Sequence, residues 1–84
     1  ATATAQLDDI LIIEENLGIS LLDEKTQEAL EYRKKYPEAS LKELSEIISI
    51  ETGNSITKSG LNHRFRKMKE LATRFKNMDN ESKN

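Results

Sequence analysis

Apolar residues recur at helical spacing in four blocks along the chain, and the residues between the blocks are those that cap helices or turn chains. In the first block Leu7, Ile10, Leu11 and Leu17 keep helical spacing with acids between them, which predicts a helix from about Ala3 to Asn16. Gly18 suits the position that closes its last turn. The run Ile10–Ile13 taken alone also fits a buried strand, but its polar flanks carry no turn residues, which favours helix. A second helix starts at Asp23 as N-cap and runs to Lys35 or Tyr36. Glu24 and Glu28 lie early and Arg33, Lys34 and Lys35 late, matching the helix dipole, and Pro37 ends it.

The third and fourth helices have the clearest starts. Ser40-Leu41-Lys42-Glu43 is a capping-box sequence with Ala39 and Leu44 placed as a hydrophobic staple, and Leu41, Leu44, Ile47 and Ile48 supply a buried side over 41–48. Thr52-Gly53-Asn54-Ser55 has turn composition, so 49–56 reads as a connection. Thr57 then caps a fourth helix reaching about Asn77, with Ile56 and Leu61 as its staple. The pattern predicts an all-α, four-helix fold: one helix-turn-helix domain over 1–78, then a disordered tail, 79–84, with nothing to bury. The start Ala-Thr-Ala-Thr-Ala, without Met, points to a domain cut from a longer protein or to a processed terminus.

Charge changes the picture most. Residues 57–78 hold seven Lys or Arg against the single acid Glu70, while residues 1–56 hold five bases and twelve acids. An acidic protein, net −2 overall, has concentrated its positive charge on one helix. At about 100° per residue, Leu61, Phe65, Met68, Leu71, Ala72 and Phe75 share one side of that helix. The other side gathers Ser59, Asn62, His63 and Arg66, with Glu70 and Thr73 further along. Lys58 and Lys69 flank one edge, Lys67 and Arg74 the other. The basic face alone suits a solvated surface equally well. A capped helix sorted this way, following a short helix and a turn, favours double-stranded DNA.

On that reading the N-terminal turns of the fourth helix enter the major groove. Asn62 and Arg66 carry the base contacts, because Asn pairs bidentately with adenine and Arg with guanine, and Ser59 and His63 support them. Lys58, Lys67 and Lys69 hold phosphates, as do Ser40 and Lys42 at the start of the third helix. Gly60, which costs about 1 kcal/mol of helix propensity relative to Ala, lets a phosphate or backbone approach. Arg64, near the apolar border, pairs with an acid of the first or second helix, and Tyr32 and Tyr36 are core edges.

Other functions find less support. The chain has no Cys and one His, so it offers no metal set, and no nucleophile–base pair or Gly-rich catalytic loop occurs. We expect no enzyme activity and no cofactor. No apolar run approaches the roughly 18–20 residues needed to span a bilayer, and no signal peptide opens the chain. A cytoplasmic protein is expected. The runner-up function is a protein-interaction module, in which the acidic first and second helices dock RNA polymerase or a co-regulator. Nothing indicates a dimer seam, which leaves the oligomeric state open.

Two segments go beyond a generic helix-turn-helix. Tyr36-Pro37-Glu38-Ala39-Ser40-Leu41-Lys42-Glu43-Leu44 and Lys58-Ser59-Gly60-Leu61-Asn62-His63-Arg64-Phe65-Arg66-Lys67 closely resemble the C-terminal domain of the WhiA family, bacterial regulators named for sporulation. Ala5-Gln6-Leu7-Asp8-Asp9-Ile10 is similar to the start of that domain, so the likeness covers most of residues 5–76. The resemblance implies a helix-turn-helix like the fourth region of sigma factors, acting in transcription regulation. It also implies an N-terminal domain, not represented in this sequence, similar to LAGLIDADG homing endonucleases but without nuclease activity. Lys58, Ser59, Gly60, Asn62, His63, Arg64, Arg66 and Lys67 match the family pattern and take its presumed recognition role. The connection over 49–57 departs from the family in being longer and lacking proline.

Overall fold

A computed structural model describes the backbone of residues 2–82 and the side chains of residues 4–77. Four α-helices account for most of it: α1 (Thr2–Asn16), α2 (Glu24–Lys35), α3 (Leu41–Thr52) and α4 (Lys58–Ser82), with a 3₁₀ turn at Ile19–Leu21 and no strand among the described residues. The all-α expectation holds. The long α4 is the spine against which α1, α2 and α3 pack, and its largest interface is with α1.

The core forms where the apolar stripes meet. Ile10 and Ile13 of α1, Ala29 and Leu30 of α2, Leu44 and Ile48 of α3, and Leu61, Phe65, Met68 and Ala72 of α4 are all buried. Leu71 packs at its margin. Leu11, expected on the buried stripe of the first helix, is instead 54% exposed, because α1 turns its Gln6, Asp9, Ile10 and Ile13 side to the core. Gly18 has a positive φ of 90°, as its position suggested, and its N–H reaches the Ile13 carbonyl at 2.9 Å. The 3₁₀ turn after it, absent from the sequence reading, brings Leu22 into the core.

Asp23 precedes α2 with extended backbone, but its carboxylate takes no capping amide; it accepts the Thr26 hydroxyl at 2.5 Å. The capping box of α3 is complete. The Ser40 hydroxyl accepts the Glu43 N–H at 3.1 Å, and the Glu43 carboxylate accepts the Ser40 N–H at 2.9 Å. These bonds hold the Glu43 carboxyl below its ordinary value. Ser40→Ala should therefore cost about 1 kcal/mol and lower the melting temperature by roughly 4–8 °C. Thermal unfolding followed by circular dichroism checks this, and an unchanged midpoint would remove the box from the stability of the fold.

The third helix corrects the sequence reading. It was expected to end at Ile48, yet it continues for another turn to Thr52. The polar residues that suggested a loop satisfy their hydroxyls within the helix: Ser49 Oγ donates to the Ser45 carbonyl at 2.8 Å, and Thr52 Oγ1 to the Ile48 carbonyl at 2.7 Å. Gly53, with φ 74° and ψ 4°, then ends the helix in the left-handed conformation. The connection shrinks to residues 53–57. Its exit is tied down by the Ile56 N–H donating to Ser49 Oγ at 2.9 Å. At the far end α4 runs past the expected Asn77 to Ser82, and residues 83 and 84 of the expected tail lie outside the described residues.

Candidate nucleic-acid interface

Local chemistry starts α4 where the sequence indicates. Thr57 Oγ1 accepts the Gly60 N–H at 3.0 Å, and the Thr57 carbonyl accepts the Leu61 N–H at 3.0 Å. Ile56 packs on the core that contains Leu61, as a staple does. Gly60 acquires a different reason from the one its composition suggested. A Cβ there would sit 3.2 Å from Thr57 Oγ1, so the glycine makes room for the cap. Its amide is also committed to that cap, leaving the amides of Lys58 and Ser59 as the ones without an acceptor in the helix.

With Leu61, Phe65, Met68 and Ala72 buried, the opposite face is turned to solvent. Ser59, Asn62, His63, Arg66, Glu70 and Thr73 are exposed, and so are Lys58, Lys67, Lys69 and Arg74. The structure divides this set into three neighbourhoods. Asn62, Arg66 and Lys69 line a shallow concavity whose other wall is Ala5, Gln6 and Asp9 of α1. Lys67 lies on the opposite edge with Arg74, beside Leu21 and Asp23. Lys58 lines a notch together with Ser40 and Lys42, so the starts of α3 and α4 are neighbours.

Two carboxylates temper the positive face. Asp9 is largely buried against α4, its Oδ1 lies 3.9 Å from Lys76 Nζ, and Lys69 acts on it as well. Burial nevertheless dominates and pushes the Asp9 carboxyl above its ordinary value. Ionisation at this position therefore opposes folding. Stability contributed there is greatest at pH below the ordinary aspartate range and falls as pH rises through the raised value. Asp9→Asn should be more stable than the parent at neutral pH, with the gap closing on acidification, as paired urea titrations would show. Asp23 shifts the other way, held below its ordinary value first by the Thr26 hydroxyl and also by the charge of Lys67.

Arg64 docks on α2 as expected, but through a different acceptor. Its Nη1 donates to the Lys25 carbonyl at 3.2 Å rather than to an acid, and it shares a cleft with Glu24 and Glu28. Tyr32 and Tyr36 stack at the core margin with centroids 6.4 Å apart, and both hydroxyls donate to Glu51.

The sequence reading missed Arg33. Grouped with Lys34 and Lys35 as bases matching the helix dipole, it is 1% exposed. Its Nη1 donates to the carbonyls of Tyr36 (3.2 Å) and Ala39 (2.6 Å), and its guanidinium lies 5.6 Å from the centroid of Phe65. Its helical register held the signal, since Thr26, Ala29, Leu30 and Arg33 all fall on the buried side of α2.

A cap-started helix with a buried stripe and an exposed Asn/His/Arg face, set after a short capped helix and a five-residue turn, is a helix-turn-helix. The family described as the WhiA C-terminal HTH domain matches residues 1–72. The chain belongs to the WhiA family. Among curated relatives, a probable cell division protein WhiA from Enterococcus faecalis is 46% identical over 74 residues, covering 88% of this chain and 23% of the relative. Proteins of the same name from a Geobacillus species and from Bacillus cereus are 43% and 40% identical, each over 88% of this chain and 22% of the relative. The chain thus spans less than a quarter of the length of these WhiA relatives. No solved structure matches it. The WhiA helix-turn-helix supports binding to DNA. No helix among the described residues is long and apolar enough to cross a membrane, and no group of three or more His, Cys, Asp or Glu among them could hold a metal ion.

Proposed function

We propose that this domain binds double-stranded DNA sequence-specifically, in a bacterial transcription regulator, with α4 in the major groove and α3 crossing the phosphate backbone. One observation carries the reading: Ser59, Asn62, His63 and Arg66 are all exposed in the first turns of a helix whose other side is locked into the core. Those are the turns that meet base edges in a helix-turn-helix. Asn62 and Arg66 share one concavity and read bases, with Ser59 and His63 beside them. Lys58, Ser40 and Lys42 meet the backbone on one side, and Lys67 on the other. Lys69 divides its charge between a phosphate and Asp9. Gly60 contributes by keeping the helix start compact rather than through its own amide. The relatives' name points to cell division as the process served.

The test is an NMR titration of the labelled chain with a short mixed-sequence duplex at low and then physiological salt. Salt-sensitive shifts over Lys58–Lys69 support the reading. A well-folded spectrum that stays silent there overturns it and favours protein docking through the acidic α1 and α2. That second reading has its own support in Leu11, 54% exposed between Asp8 and Glu15 on the outer face of α1. Asp9 stands beside the base-reading residues, so Asp9→Asn should tighten binding to every sequence severalfold. A unit charge about 4 Å from a phosphate costs about 1 kcal/mol in water-like surroundings. Unchanged affinity at low salt would place the DNA away from α1.

A further inference from the structure

The starts of α3 and α4 meet over a buried, uncompensated charge. Arg33 lines the notch between them with Ser40, Lys42, Glu43 and Lys58, and at 1% exposure it forms the floor. Among the described residues no carboxylate lies within ion-pair distance of it; Nη1 donates only to the Tyr36 and Ala39 carbonyls, and Nε has no partner. Arginine keeps its proton at any physiological pH, so burial leaves a cation that lacks a counter-charge. Burial indeed lowers its affinity for the proton.

The notch walls add to this demand. Lys42 and Lys58 bring two more positive charges, both exposed. In the first turns of α3 and α4, the amides of Leu41, Lys42, Lys58 and Ser59 have no acceptor within their own helices. Two carboxylates oppose them. Glu43 is turned to the Ser40 amide at 2.9 Å, and Glu38 lies exposed on the rim.

We propose that this notch is a phosphate-binding site, with Arg33 as its buried charge and Lys42 and Lys58 as its clamps. The group it takes is a phosphate oxyanion, either a phosphodiester of the DNA backbone or free phosphate. The DNA form rests on the reading above and deepens it. A backbone phosphate seated here would pin both helix starts at once, setting the angle at which α4 enters the groove. Arg33 thereby links the core, through Phe65, to the DNA backbone.

The experiment follows the amides of Leu41, Lys42, Lys58 and Ser59 and the Arg33 Nε–H of the ¹⁵N-labelled chain. It is titrated with inorganic phosphate against chloride at constant ionic strength, and separately with the duplex. Saturable shifts confined to this set support the site. The exposed Lys42→Gln and Lys58→Gln, which leave the core untouched, should each weaken the phosphate response about tenfold, as expected for a lost charge-assisted bond. Each should also lower the salt slope of duplex binding by about one. Notch shifts with the duplex, accompanied by shifts at Asn62–Arg66, assign the phosphate to DNA. Notch shifts with inorganic phosphate and none anywhere with the duplex make the site one for free phosphate and overturn the DNA reading. A notch silent to both overturns the present inference, and the DNA reading survives only if Asn62–Arg66 still move.

Discussion

Arg66→Ala is expected to erase discrimination at a single base pair, by about 1–3 kcal/mol or roughly 5- to 150-fold, while binding to random DNA changes little. Arg66 is exposed on the third turn of α4, beside Asn62 and across from α1, where a planar guanidinium can meet a base edge. Lys67, one residue on, points to the other edge of the helix, toward Asp23 and Arg74. Lys67→Ala should weaken all sequences alike and lower the salt slope by about one. Competition binding against a panel of single-base variants separates the two effects. Equal losses on cognate and random duplexes for Arg66→Ala would make this face a nonspecific cationic surface.

Phe65→Ala should come close to unfolding the domain. Truncating a buried Phe costs about 3–5 kcal/mol, and a small domain has only about 5–15 kcal/mol in hand. Phe65 is 5% exposed in the middle of the α4 stripe and carries the Arg33 guanidinium against its ring. The variant should melt more than about 10 °C lower. Phe65→Leu, which keeps most of the volume and loses the ring, should lose far less, chiefly the cation–π contact of about 0.5–2 kcal/mol. Urea unfolding of the three proteins orders them. A loss under about 1 kcal/mol for Phe65→Ala would mean that α4 is not held to the core through this ring.

Legibility followed the range of the interactions. The capping box at Ser40–Glu43, the Thr57 cap and the Leu61/Phe65/Met68/Ala72 stripe were readable because each is set by residues three or four apart on one helix. The exposed face of α4 followed from the same period, so each candidate site residue on α4 could be assigned to a side of the helix without the fold. The end of α3 was not readable. Ser49 and Thr52 have loop-like composition, yet their hydroxyls bond helix carbonyls one turn back, and only the fold brings Ile56 back to bond Ser49. Leu11 and Arg33 were misjudged for a related reason. A helical period orders residues around the axis, but the neighbouring helices choose which part of a broad stripe is covered.

By itself, then, the sequence determined the helical elements, their starts, the sidedness of α4 and the family, because local hydrogen bonds and periodicity need no partner from afar. Tertiary packing alone decided three further things. It drew the start of α3 up to the start of α4, placed Asp9 against the basic face, and buried Arg33 beneath both helix starts with no acid among the described residues paired to it. A charge on a free helix costs almost nothing. Only when other helices exclude the water around it does it become a cation that needs a counter-charge.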